Sequence, residues 1–357
     1  MRFVPIFCLR EGMISASDLF GEQGELILAR KTVLDEIIIK KIRQYKCNGL
    51  YIEEEQGINI PIVNTINSSL RTKTVNGIKE IFICKENNLP VPQEQFAEME
   101  NQVETIVDVI LKNKEMMLNM VDLKVFDDYT YFHSVNVAVL SIGLGTAMGL
   151  DKTDLCNLGF GALLHDIGKV FVPKEILHKQ GPLTDIEFSE MKKHSYLGFE
   201  YLTKEYVGSV GAQAGILDHH EKFSGGGYPN NAKGDKISLY GRIISIADVY
   251  DALTSDRPYR KGLLPSEAVE YIMGGSGNLF DPDLVNLLVR KIAPYPIGTP
   301  VKLSNGLAGV VTDNFESFCM RPNIRIFKNG DYEVKPFDIC LADRRALNIT
   351  IVDYTRP

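Results

Sequence analysis

The 357-residue chain carries six histidines, His133, His165, His178, His194, His219 and His220, all between positions 133 and 220. His165 is followed directly by Asp166, and His219 and His220 are neighbours. Asp248 lies inside the apolar stretch "RIISIADVYDAL", where an unpaired carboxylate would be costly. Imidazole nitrogens and carboxylate oxygens are the donors that a hard-to-borderline divalent cation takes. Adjacent donors at 165 and 166 would face neighbouring positions in one cavity, and an aspartate there can place one oxygen on each of two cations. A cation pair polarises a phosphoryl group and makes hydroxide from bound water near neutral pH. The set therefore suits phosphoester hydrolysis without a covalent nucleophile. The alternative for any single histidine is a structural role; the clustering and the adjacent pairs speak against it for the set. His178, in the turn-like "ILHKQGPL", is expected at the surface.

Basic residues accompany these donors. Lys169 lies four residues after His165, which on a continuous helix puts both on one face. It suits contact with a scissile phosphate and stabilisation of transition-state charge; pairing with a helix C-terminus is the alternative. "TSDRPYRKG" holds Arg257, Arg260 and Lys261, and guanidinium groups match phosphate and guanine edges, although Asp256 can neutralise one of them. "GGGYP" at 225–229 is a turn-forming loop whose glycines let backbone approach a ligand closely. The chain has no G-x-G-x-x-G, Walker A or G-x-S-x-G pattern.

The elements that must position these groups form a run of helices. Apolar residues at helical spacing predict helices over 128–150, 152–169, 185–202, 212–220, 239–253, 265–273 and 282–292. The expected fold is mainly α: an all-helical metal hydrolase domain over 121–293 with a smaller module on each side. Residues 1–60 read as a small α+β module, with strands at 26–29 and 50–53 around a helix at 33–45. Residues 61–120 read as a helical connector broken at Pro90 and Pro92. Its amphipathic segment 93–120 is open to a connecting or a homodimer role. Residues 294–357 read as a β-rich appendage with a hairpin at Asn305-Gly306 and strands at 321–327 and 349–352.

A formal net charge of −7 argues against a protein that coats duplex DNA or RNA. It leaves room for a small anionic ligand, because bound cations supply positive charge locally. The six cysteines include no C-x-x-C pair and read as reduced thiols. No apolar run approaches the ~18 residues of a membrane span, and Pro5 interrupts the N-terminal one. A cytoplasmic protein without a membrane partner is expected.

The segments "HSVNVA", "HDIGK", "MKKHSYLGFEYL", "HHEKFSGGGYP" and "IADVYDALTSDRPYR" occur in this order. Together they resemble the consecutive motifs of the HD-GYP domain family, a branch of the HD-domain metal hydrolases, over roughly residues 115–293. The resemblance implies two divalent cations, iron or manganese. His133, His165, Asp166 and Asp248 would hold one, and Asp166, His194, His219 and His220 the other. It implies catalytic roles for Asp166 and Lys169, substrate contacts for Lys169, Arg257, Arg260 and Tyr228, and a signalling-partner contact at the Gly227-Tyr228-Pro229 loop. The implied activity is hydrolysis of the 3′,5′-phosphodiester bonds of cyclic di-GMP to linear pGpG or GMP by a hydroxide bridging the metals. Another cyclic dinucleotide such as cyclic GMP-AMP, or a receptor with little turnover, are the alternatives. A general nucleotidase is disfavoured by the "GGGYP" and "DRPYR" blocks. Some members hold a third metal through a glutamate four residues before the first histidine. Here that position is Tyr129, beside Asp128, so two metals are expected.

Overall fold

A computed structural model describes the chain except for residues 1, 6–8, 17–18, 21–25, 45–48, 54–64, 114–117, 120–128, 180, 206–208, 256–261, 296, 317 and 355–357. Residues 1–72, 117–128 and 289–357 cluster into one compact unit, and 73–116 with 129–288 into a second, helical one.

In the first unit, β1 (Arg2–Pro5) pairs antiparallel with β4 (Gly49–Ile52), and β2 (Leu19–Phe20) with β3 (Leu26–Leu28). Between β3 and β4 runs α1 (Glu36–Ile42). It is shorter than the apolar spacing suggests because the Asp35 side chain accepts from Ile38 N, an N-cap that fixes its start. Leu9, Leu28, Leu34, Ile42 and Ile52 form the core of this module. Further on, β5 (Leu118–Asn119) pairs parallel with β6 (Ile292–Ala293). The C-terminal residues form an antiparallel sheet of β7 (Pro300–Leu303), β8 (Leu307–Asp313), β9 (Asn323–Asn329), β10 (Tyr332–Cys340) and β11 (Ile351–Tyr354), in the order β10-β9-β8-β7-β11. Gly306 turns the β7–β8 hairpin at φ +85°. Strand β10 has no counterpart in the sequence reading. It contains Pro336 and is mostly exposed, as an edge strand can be, so it lacks the alternating apolar pattern.

The helical unit begins within α2 (Ser68–Glu86) and continues through α3 (Gln93–Lys112), α4 (Tyr129–Met148), α5 (Lys152–Leu163), α6 (Lys174–Leu177), α7 (Asp185–Met191), α8 (His194–Glu205), α9 (Val210–Asp218), α10 (Leu239–Thr254), α11 (Pro265–Gly274) and α12 (Pro282–Lys291). Helix α4 is long and apolar enough to cross a membrane by composition alone, but 72% of that window is buried inside the unit. It is the central helix, with Val135, Leu140 and Ile142 fully enclosed. Helix α3 ends at Lys112 rather than 120, and its Phe96, Met99, Val103, Ile106 and Ile110 are buried against α4 and α5. Gly159 of α5 allows this approach: a Cβ there would lie 2.7 Å from Ile142 Cδ1 and 2.8 Å from Val103 Cγ1.

Two of the expected helices are interrupted. The 152–169 helix stops at Leu163, and Ile167–Phe171 forms a 3-10 turn. The chain turns there because Gly168 presses against α8. A Cβ on Gly168 would stand 1.8 Å from His194 O and 2.6 Å from Gly198 N. His165 and Lys169 thus do not share one α-helical face. The 185–202 helix splits at Lys192 and Lys193 into α7 and α8; Thr184 and Glu187 form a reciprocal capping box at the start of α7.

Candidate metal centre

Five helices bring the donors together. His133 lies near the start of α4, and His165 and Asp166 occupy the turn after α5. His194 opens α8, His219 and His220 follow α9, and Asp248 lies in α10. The ligating atoms of Asp166, His194, His219 and His220 lie within 4.8 Å of one another, as do those of His133, His165 and Asp248. Asp166 joins the groups: Oδ2 lies 3.4 Å from His165 Nε2, and Oδ1 lies 3.5 Å from His194 Nε2. His133 Nε2 lies 3.1 Å from Asp248 Oδ1. All seven side chains expected as ligands therefore converge. His178 is exposed in a turn, as expected.

The imidazoles are oriented from behind. His165 Nδ1 meets Ala162 O at 2.8 Å, His194 Nδ1 meets Met191 O at 2.7 Å, and His219 Nδ1 meets Ile216 O at 2.7 Å. A carbonyl only accepts, so each Nδ1 carries the proton and each Nε2 presents a lone pair. The three carbonyls lie in the last turns of α5, α7 and α9, where helical carbonyls lack intrahelical partners. These three rings thus cap three helix ends. His133 differs: its Nδ1 meets the Asp251 carboxylate at 2.8 Å. His220 makes no ring-nitrogen hydrogen bond among the described residues; Tyr228 lies against its ring at a centroid distance of 4.8 Å and a 35° tilt. The loop bearing Tyr228 is tied down by Asn230 N donating to Glu221 Oε1 at 2.6 Å and by Tyr228 N donating to His220 O.

Charge follows from this packing. Burial holds His194 and His219 below their ordinary pKa, and drives His220 down to about 3. These rings are neutral at pH 7, the form that binds metals. Burial also opposes a charge on His133, but the hydrogen bonds and charges of Asp248 and Asp251 outweigh it and raise the ring to about 10. Burial works to raise Asp166, yet Lys169 and the neighbouring imidazoles hold it well below the usual carboxylate range. Asp248 is likewise held low by His133 against its burial.

The donor set fits divalent cations. Among the described residues His165 Nε2 and Asp166 Oδ1 are buried without a hydrogen-bond partner, an arrangement that costs free energy unless each faces a cation of its own donor group. His194 Nε2 and His219 Nε2 point their lone pairs at each other across 3.4 Å.

Lys169 Nζ lies 2.5 Å from Asp166 Oδ2, with about a third of its side chain exposed. It reaches the centre through the 3-10 turn rather than along a helix. Arg257 and Arg260, with Asp256 and Lys261, lie outside the described residues, as does Asp128, and nothing is described of the Tyr129 side chain. Asp251 was not singled out from the sequence. Its signal was available: a second carboxylate three residues after Asp248, one turn along the same apolar helix.

The sequence model of the HD domain family matches residues 105–284. A cyclic di-GMP phosphodiesterase of Pseudomonas aeruginosa is 38% identical over 225 residues, covering 63% of this chain and 54% of that protein. A 3′3′-cGAMP-specific phosphodiesterase of Vibrio cholerae is 35% identical over 191 residues, covering 53% of this chain and 36% of that protein. The chain thus spans about half the length, or less, of these relatives. A solved HDG"Y"P protein from Bdellovibrio bacteriovorus shares the fold, with TM-score 0.52 and 18% identity over 80% of this chain and 97% of that one. With half of its length matched, its five sequence blocks in order and their donors gathered in one place, the chain belongs to the HD domain family, in its HD-GYP branch.

Proposed function

We propose that this protein hydrolyses the 3′,5′-phosphodiester bonds of a cyclic dinucleotide, cyclic di-GMP foremost, with two divalent cations, iron or manganese, as cofactors. The observation that carries this reading is Asp166, with one oxygen turned to each of two donor groups. His133, His165, Asp166 and Asp248 would hold one cation, and Asp166, His194, His219 and His220 the other. The bound pair would polarise the phosphoryl group and activate water.

The chain's own residues do the rest. The carbonyls of Ala162, Met191 and Ile216 keep three imidazoles in the metal-binding tautomer, so little reorganisation accompanies the reaction. Lys169, part exposed at the rim beside Asp166, can turn its ammonium to a phosphate oxygen and offset the charge that grows there. Tyr228 closes one side of the centre over His220, keeping that ring in place and water away from its face.

Cyclic di-GMP is placed first because two relatives named as cyclic di-GMP phosphodiesterases cover 63% and 59% of this chain. Cyclic GMP-AMP is the second reading, since two Vibrio cholerae relatives are named as specific for it. The test is the full chain, reconstituted anaerobically with Fe²⁺ or Mn²⁺ and offered each cyclic dinucleotide, with products separated by chromatography. Linear pGpG or GMP from cyclic di-GMP is expected. Turnover of cyclic GMP-AMP alone would move the substrate assignment, and tight binding without product would make the protein a receptor.

A further inference from the structure

The donors behind the imidazoles are not equivalent. His165, His194 and His219 each use the carbonyl three residues back, at the end of a helix. His133 lies within the opening turns of α4 rather than at a helix end. Its acceptor comes from α10: Asp251, fully buried, takes His133 Nδ1 on Oδ2 at 2.8 Å. The other oxygen takes Asn136 Nδ2 at 2.8 Å, and Ser255 Oγ lies 3.3 Å from Oδ2. Asn136 is three residues after His133, on the same face of α4. A single carboxylate therefore receives two N–H groups from one helix. Asp248, one turn earlier on α10, stands at the opposite nitrogen of the same ring.

We propose that Asp251 is the positioning residue of the His133 cation site: it fixes the proton on Nδ1 and the ring plane, so that Nε2 and Asp248 grip one cation together. This rests on the two-cation reading above. It predicts an asymmetric failure. Loss of the Asp251 carboxylate weakens the ion held by His133, His165 and Asp248 and leaves the ion of the three-imidazole group in place. A carboxylate that only tied α4 to α10 would change stability without choosing between the ions.

Asp251→Asn has nearly the same shape but offers one acceptor and one donor where α4 presents two donors. Either Asn136 loses its acceptor, or an amide N–H faces His133 Nδ1 and pushes the ring proton to Nε2, where it blocks the lone pair. Combining Asp251→Asn with Asn136→Asp reverses the second hydrogen bond and lets the amide oxygen accept from His133 again.

The experiment is manganese titration of the full chain, with ions per chain counted by elemental analysis and the coupled two-ion signal followed by electron paramagnetic resonance. The expected result is two ions for the wild type and one for Asp251→Asn, with the coupled signal lost and affinity for the missing ion reduced roughly 10–100-fold. The double variant recovers the second ion. In a His133→Ala background, Asp251→Asn changes the count no further. Two ions bound with wild-type affinity by Asp251→Asn, or equal loss of both, overturns the proposal. A wild type that binds none overturns the metal reading itself. If Asp251→Asn does not fold, nuclear magnetic resonance of the Zn²⁺-loaded wild type decides: the His133 ring proton is expected on Nδ1, and finding it on Nε2 overturns the proposal.

Discussion

His194 and His219 face each other Nε2 to Nε2 at 3.4 Å, each with its ring proton committed to a backbone carbonyl on the far side. Two lone pairs held this close repel unless a cation lies between them. His219→Ala should therefore remove one ion per chain and lower the proposed phosphodiesterase activity by more than roughly 100-fold, since losing a group that only hydrogen-bonds to a metal ligand already costs roughly 10–100-fold. Metal content and product formation on the same preparation check this. Full activity with an unchanged ion count would exclude His219 as a ligand.

Lys169 gives a different signature. Its Nζ contacts Asp166 at 2.5 Å but reaches solvent, so it is available to a substrate phosphate. Lys169→Ala is expected to keep both ions while kcat falls by roughly 10²–10³-fold, the scale of one lost transition-state donor. A variant that loses metal in proportion to activity would instead give Lys169 a part in holding the ions.

Chelated protein should weaken in acid. The unfolded chain protonates its histidines near the ordinary value of 6.5, whereas folded His220 does so near 3, and His194 and His219 are also held low. Below pH 6.5 the unfolded state therefore binds more protons, and stability falls steadily towards pH 3. His133 acts in the other direction: held up to about 10, it stabilises fully below pH 6.5 and loses that contribution as pH rises towards 10. Melting temperatures of metal-free protein at pH 7, 6, 5 and 4 should descend; a flat profile would contradict neutral buried rings.

Gly168 sets the distance between the Asp166 turn and α8. Because an added Cβ would meet backbone rather than a yielding side chain, Gly168→Ala should destabilise by about 1–3 kcal/mol or more and displace Asp166 from His194. Denaturant midpoints with and without Mn²⁺ measure both effects. An unperturbed midpoint would mean that the turn has room to move.

The seven converging donors were legible in the sequence because their chemistry is carried by residue type: histidine and aspartate crowd one region and occur as adjacent pairs. Their supports were not. The carbonyls of Ala162, Met191 and Ile216 have no side-chain signature, and whether a helix stops at 163 or at 169 depends on how Gly168 meets another helix. Helix spacing located most elements of the unit within a few residues. It failed at the 185–202 stretch, where the break falls on half-buried Lys192 and exposed Lys193, which carry no apolar pattern to reveal it. Strand β10 escaped for the opposite reason, an edge element with little buried side chain to impose alternation.

Helix α3 has a practical bearing on dissection of the protein. Trimming to residues 121–293, the span suggested by motif content, would strip the lid from an oily trough floored by Ile142 and Gly159, into which Val103 fits. Such a fragment should clump or bind hydrophobic dyes. One starting ahead of residue 73 retains its own cover and should remain dispersed and able to take up Mn²⁺.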